Sequence, residues 1–249
     1  MSAPALTLIL GTPDSGLRAW GETLAASVGG LCLCDLKLAM ATTVGELLHM
    51  AQLAQDPIDE SLLAALRAHL PEAHDAPAFL RERSDWPTAA LLSQLLRGIA
   101  PRPVVIVDEM AGFRIHELER WFAMQPQALF VHAVTPLADF ERASRQRYDG
   151  RLFIPSDYRD HHIGNATPVF KPMLAWYQVQ ATLARSLAEH GELNRVRVQT
   201  GDANAPRTID ALQRLAGAQS TPASWQWTHS VAGRADMPGV AALTELLQS

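Results

Sequence analysis

The stretch "LILGTPDSGLRAW", residues 8–20, decides how the chain is read. A short apolar run enters Gly11, Gly16 follows five positions later, and a helical pattern begins at once. Strand, glycine-bounded turn and helix together form a geometry in which backbone N–H groups and the positive end of the helix dipole can hold a phosphate-like anion. The side chains depart from the usual version. A Walker A loop continues with Lys and then Ser or Thr, whereas this chain has Leu17 and Arg18, with Asp14 inside the turn. Nucleoside-triphosphate kinases need that Lys for the phosphates and that hydroxyl for Mg²⁺. An arginine ligates no cation, so a divergent nucleotide-binding, kinase-like protein ranks third among the readings.

The bulk composition narrows the class. With 249 residues, 48% hydrophobic and 19% charged, the chain is expected to form a globular core, as one α/β domain over residues 1–249. A net charge of -5 argues against nucleic acid as the main partner, because phosphate backbones need concentrated Lys and Arg. The densest basic stretch, Arg142, Arg145, Arg147 and Arg151, is local and suits a small anionic ligand. No apolar run approaches the roughly 20 residues of a bilayer span, and no basic-then-apolar leader pattern opens the chain. The expectation is a cytoplasmic protein with no membrane span. The two cysteines, Cys32 and Cys34, lie two apart in "GLCLCDL". On a strand they share a face, in a geometry that disfavours a mutual disulfide, and two ligands alone do not make a zinc site. They read as small core residues.

Strand-like runs alternate with helical patterns along the chain. "ALTLIL", "LCLCDL", "PVVIVDEM", "ALFVHAVT" and "RVRVQT" read as strands. Helices are expected in "LRAWGETLAASVG", ended by Gly29 and Gly30, in "TTVGELLHMAQLAQD" and in "DESLLAALRAHL". "SDWPTAALLSQLLRGIA" reads as another, with a Ser or Asp cap, Pro in the first turn and Gly near the end. Further helices are expected in "HELERWFAMQ", in "PLADFERASRQRYDG", in the long "VFKPMLAWYQVQATLARSLAEHG", in "APRTIDALQRLAG" and in a closing "GVAALTELLQ". Residues 71–77 read as a surface loop, and residues 151–168 as irregular and polar. Such alternation implies right-handed crossovers and a mostly parallel sheet of about five strands covered on both faces, a three-layer α/β/α arrangement with helical insertions.

Ligands bind such sheets at the carboxyl ends of the strands. Three features fall there: the turn at residues 11–16, the acids Asp108 and Glu109 ending "VVIVDEM", and "ALFVHAVTPLADFERAS" with its helix start at Pro136. The acids have the shape of a Walker B strand end, and equally of acids that cap the next segment. Read onward from Asp108, "IVDEM…ELERWFAMQPQALFVHAVTPLADFERAS" resembles the middle of the sulfotransferases that use 3′-phosphoadenylyl sulfate. "RVRVQTGDANAPRTIDALQRLAG" is similar to that family's late strand, turn and Leu-Gly-ended helix, and "PDSGLRAW" to its phosphosulfate loop. The resemblance is colinear over residues 5–217 and implies a P-loop-type fold.

The resemblance also implies roles. Pro13, Ser15, Gly16, Leu17 and Arg18 would line the phosphosulfate and Ser144 the 3′-phosphate, with Arg142, on proximity alone, as the substitute for the family's missing Arg. Glu109 or Asp108, with Asp35 as a further candidate, would take the proton from an acceptor hydroxyl or amine as it attacks sulfur. The departures are specific. Asp14 replaces a basic residue, Leu17 and Arg18 replace a Thr pair, and Glu109 replaces a Lys. Thr135, or Ala133 under another gap placement, occupies the region of the Arg that holds the 3′-phosphate. A lost Lys-to-anion bond costs about 1.5–3 kcal/mol. An ionised Asp about 4 Å from a phosphate adds about 4 kcal/mol of repulsion at an effective dielectric near 20. Two readings follow: sulfuryl transfer from 3′-phosphoadenylyl sulfate to a small-molecule acceptor, or a catalytically inactive protein of that fold that binds a protein partner.

Outside these motifs, adjacent His161 and His162 share no face and lack a third ligand at diagnostic spacing, so the segment reads as a polar loop, or one that covers substrate. Trp225 and Trp227 read as packing residues, with Ser230, Gly233 and Arg234 similar to the family's late nucleotide-covering loop.

Overall fold

The computed structural model of the chain describes residues 6–12, 16–53, 60–109, 111–113, 115–140 and 170–199. Its centre is β1 (Leu6–Leu10), whose five residues are all buried. Leu6, Leu8 and Leu10 line one face of the pleat and the buried Thr7 and Ile9 the other, as suits a strand covered on both sides. It pairs in parallel with β3 (Val104–Asp108) on one side and β4 (Leu129–Val134) on the other. β2 (Leu31–Cys34) lies outside β3, and β5 (Asn194–Gln199) outside β4. The sheet therefore has five parallel strands in the order β2-β3-β1-β4-β5.

The period-2 alternation of the strands divides the core in two. Ile9, Val105, Val107 and Val131 face α1 (Leu17–Ser27), which contributes Leu17, Trp20 and Leu24. Leu8, Leu10, Ile106 and Phe130 face the opposite layer. That layer holds α3 (Glu60–His69), α4 (Ala76–Glu82), α5 (Thr88–Ile99), α6 (Ile115–Met124) and the long α7 (Phe170–Glu189), with α2 (Val44–Leu53) placing Val44 and Leu47 there. The connection leaving β1 crosses one face toward β2. The connections to β3, β4 and β5 cross the other face in the opposite direction, as crossovers of one hand require.

α1 ends as its two glycines suggest. Gly29 takes φ +64°, Gly29 N–H donates to Ala26 O (3.3 Å) and Gly30 N–H to Ala25 O (2.7 Å), the paired bonds of a Schellman cap. Gly21 serves a different purpose. A Cβ there would lie 2.3 Å from Cγ2 of Val107, so its absence lets α1 sit directly on β3.

Two local expectations are corrected. Residues 71–77 are not a loop: a 3₁₀ turn spans Pro71–Ala73, and α4 opens at Ala76. Asp75 accepts from Ala78 N–H (3.0 Å), and Pro77 sits in the first turn, where its missing N–H costs no helix bond. α5 starts at Thr88 behind Pro87 with no side-chain cap. The carbonyls of Ser84 and Trp86 instead accept from Gly45 and Val44, so this segment caps α2. Gly98 lies near the end of α5, as read from the sequence, and a Cβ there would come 2.3 Å from His69 O. The expected helices in residues 206–217 and 239–248 lie outside the described residues, as do the expected helix beyond residue 140 and residues 151–168.

Gly21→Ala gains helix propensity of about 1 kcal/mol but forces overpacking that costs about 1–3 kcal/mol. Urea unfolding should show a net loss, and Gly21→Ala combined with Val107→Ala should couple favourably in a double-mutant cycle. Additive losses would mean that the contact is not limiting.

Candidate functional site

The three sequence features meet at one edge of the sheet. Leu10, the last residue of β1, pairs with Asp108 of β3 and His132 of β4, so the turn after Leu10 stands between the ends of both neighbours. Because the connection from β1 departs across one face and those from β3 and β4 across the other, the loops part at this point, where open α/β sheets bind ligands.

The turn is held by its two glycines in different ways. A Cβ on Gly11 would lie 2.7 Å from Cδ1 of Leu17 and 2.8 Å from Ala133 O. Gly11 thus permits the close approach of β1, β4 and the first turn of α1. Gly16 is the N-cap of α1 at φ 71°, ψ 14°, without a side-chain cap bond, and a Cβ there would meet nothing within 4 Å. Leu17 is fully buried in the α1-side core, so at the turn it offers its backbone N–H and no side-chain chemistry. Pro13, Asp14 and Ser15 lie outside the described residues, as do Arg142 and Ser144.

Arg18 is exposed and paired. Its Nε–H donates to Glu22 (3.0 Å), and its guanidinium lies 3.9 Å from Asp35 beyond the end of β2. The hydrogen bond to Glu22 chiefly, and the nearby anionic groups, raise the Arg18 pKa further above its ordinary value. Asp35 is thereby joined to Arg18 across α1 and β2.

Asp108 is buried, and its Oδ1 accepts the Ala111 N–H (2.8 Å), capping the 3₁₀ turn Ala111–Phe113. Glu109, half-buried, follows it at the strand edge. Across β1, Thr135 stands just past β4, with its carbonyl accepting from Trp176 Nε1–H of α7 (2.7 Å). Ala133 is fully buried in the α1-side core, so of the two gap placements only Thr135 reaches the edge.

One group was not singled out from sequence. His132 is buried within β4, and its Nε2–H donates to Oε1 of Gln180 on α7 (2.7 Å). Arg197 of β5 pairs with it in strand register, on the same face. Burial above all, then the Arg197 charge, lowers the His132 pKa from 6.5 to about 3, against the opposing hydrogen bond to Gln180. Burial likewise lowers Arg197 to about 10. The available signals were a lone His inside an apolar strand and the Arg-Val alternation of "RVRV". Neither names Gln180, which lies 48 residues from its partner.

The sign of the His132 effect is fixed. Between pH 6.5 and about 3 the unfolded chain binds the proton that the folded chain refuses, so native stability falls as pH drops through that window. The slope is up to about 1.4 kcal/mol per pH unit. Urea unfolding from pH 7 to 4 should show this slope reduced in His132→Gln relative to the parent. Parallel profiles would assign the acid sensitivity to other groups.

No family model and no curated protein matches the sequence. Solved structures do match the fold. The sulfotransferase domain from the curacin biosynthetic pathway aligns at TM-score 0.61 and 17% identity, covering 86% of this chain and 74% of that one. The sulfotransferase domain from the Synechococcus PCC 7002 olefin synthase aligns at TM-score 0.59 and 18% identity, covering 100% of this chain and 89% of that one. With its five parallel strands and helices on both faces, the chain has the fold of the sulfotransferase domains.

Proposed function

We propose that the protein transfers a sulfuryl group from 3′-phosphoadenylyl sulfate to a hydroxyl or amine of a small acceptor. The observation that carries this reading is the start of α1 at the carboxyl end of the central strand, where the N-cap Gly16 takes the left-handed region and makes no side-chain cap bond. Backbone N–H groups and the helix dipole suffice to bind a phosphosulfate there. In this arrangement Pro13, Ser15, Gly16 and Leu17 contribute main chain, Arg18 contributes charge, and Arg142 and Ser144 serve the 3′-phosphate. When bound, the nucleotide supplies the activated sulfuryl group. The residues of this chain orient it and receive a proton. Glu109 is the proposed base, half-buried at the strand edge where Asp108 is buried.

A second reading, a binding protein that retains the fold without catalysis, is favoured by how the other side chains are used. Leu17 is core, Arg18 is paired with Glu22 and Asp35, and Asp108 caps a turn.

Titration with 3′-phosphoadenosine 5′-phosphate tests the site. At a hundredfold excess over its dissociation constant, a native-state ligand adds about 2.7 kcal/mol of apparent stability. No thermal shift at millimolar nucleotide would overturn the nucleotide site. Arg18→Ala should weaken binding roughly 10-fold or more, the loss of one charged hydrogen bond. Glu109→Gln should leave nucleotide affinity unchanged and cut transfer by about 10²–10⁴, the usual contribution of a general base. Binding without transfer to any of a panel of hydroxyl and amine acceptors would favour the second reading.

A further inference from the structure

We propose that Cys32 and Cys34 form a two-sulfur clamp for a soft, low-coordinate metal ion of the copper(I) type on the outer strand of the sheet. Both thiols are free and half-buried, and their Sγ atoms lie 3.5 Å apart on the α1 face of β2. Among the described residues β2 is an edge strand, bonded to β3. Room for the pair is left by Gly21, whose added Cβ would come 3.0 Å from the Cys32 sulfur.

The spacing discriminates between the chemistries open to two thiols. Alternate Cα atoms of a strand are about 6.6 Å apart, at the far end of the range that a disulfide spans. Closing the sulfurs to about 2.05 Å would also require the strand to contract. A shared metal asks for the opposite movement. With metal–sulfur bonds of about 2.3 Å, two thiolates stand roughly 3.8 Å apart at a tetrahedral angle and roughly 4.6 Å apart in line. Side-chain rotation opens 3.5 Å to either value without moving the backbone.

The surroundings favour an ion that needs few ligands. Among the described residues no group of three or more His, Cys, Asp or Glu side chains is placed to hold a metal, so the four-ligand shell of structural zinc is not formed there. Thiolates alone select soft ions, copper(I) foremost among those content with two ligands. Binding releases both thiol protons to solvent and leaves a bis-thiolate complex of charge minus one. Arg18 lies near enough to act on Cys34 electrostatically.

The test is an anaerobic competition between the reduced full chain and the copper(I) chelator bicinchoninate. One copper(I) per chain is expected, with Cys32→Ser and Cys34→Ser each weakening binding by on the order of 10² or more as the chelate advantage is lost. Circular dichroism checks that the variants fold. In the unmutated protein, one equivalent of copper(I) should protect both cysteines from alkylation, read by mass spectrometry. Single variants that bind as tightly as the parent would overturn the clamp, as would cysteines that stay reactive with copper bound. Zinc(II) displacing copper(I) at equal concentration would overturn the low-coordinate assignment.

Discussion

A Cβ on Gly11 would press against the carbonyl oxygen of Ala133 and the side chain of Leu17, both closer than 3 Å, so three elements converge on a residue with no side chain. The central strand, its neighbour β4 and the first turn of α1 approach one another there at backbone distance. Leu17 can then be fully buried, and α1 can begin directly over the strand end. The direction of the helix dipole, with its N-terminus at the end of the central strand, follows from that packing. What distinguishes the edge as a candidate anion site is thus set by main-chain geometry before any charged side chain is considered.

Around this edge, the side chains that carry charge are largely engaged within the protein. Arg18 holds Glu22 and lies beside Asp35, which links α1 to the end of β2. Asp108 satisfies a backbone donor of the turn that follows it. His132 stays neutral at ordinary pH because solvent is excluded and a guanidinium stands nearby. Together with the Trp176 bond to Thr135, the His132–Gln180 bond fixes α7 against the carboxyl end of β4. The sheet edge is therefore rigidly supported from the side opposite α1, a useful property where a turn has to hold its shape for a ligand.

Much of the fold was legible because the inner strands are short, largely apolar runs and the helices are punctuated. LTLIL and VVIVD admit few other readings, and the Gly29-Gly30 stop behaved as its chemistry requires. Local signals misled where one residue type serves two purposes. Pro77 resembles a loop marker, yet behind Asp75 it starts a helix. Ser84 and Asp85 resemble a cap for the helix that follows, yet the carbonyls of Ser84 and Trp86 serve the N-terminus of α2, far back in sequence.

The sequence by itself determined the α/β class, the five strands and, α4 apart, the helices described between them, and the three places where chain turns at a strand end, because periodicity and turn chemistry are local properties. It could not determine the strand order β2-β3-β1-β4-β5, which brings those three places side by side. Nor could it show that Leu17 turns into the core, that Arg18 is paired, or that His132, Gln180 and Arg197 meet on one face of the sheet. Those outcomes depend on which distant surfaces pack together. Only the tertiary structure decides that, through the burial that makes each pairing favourable.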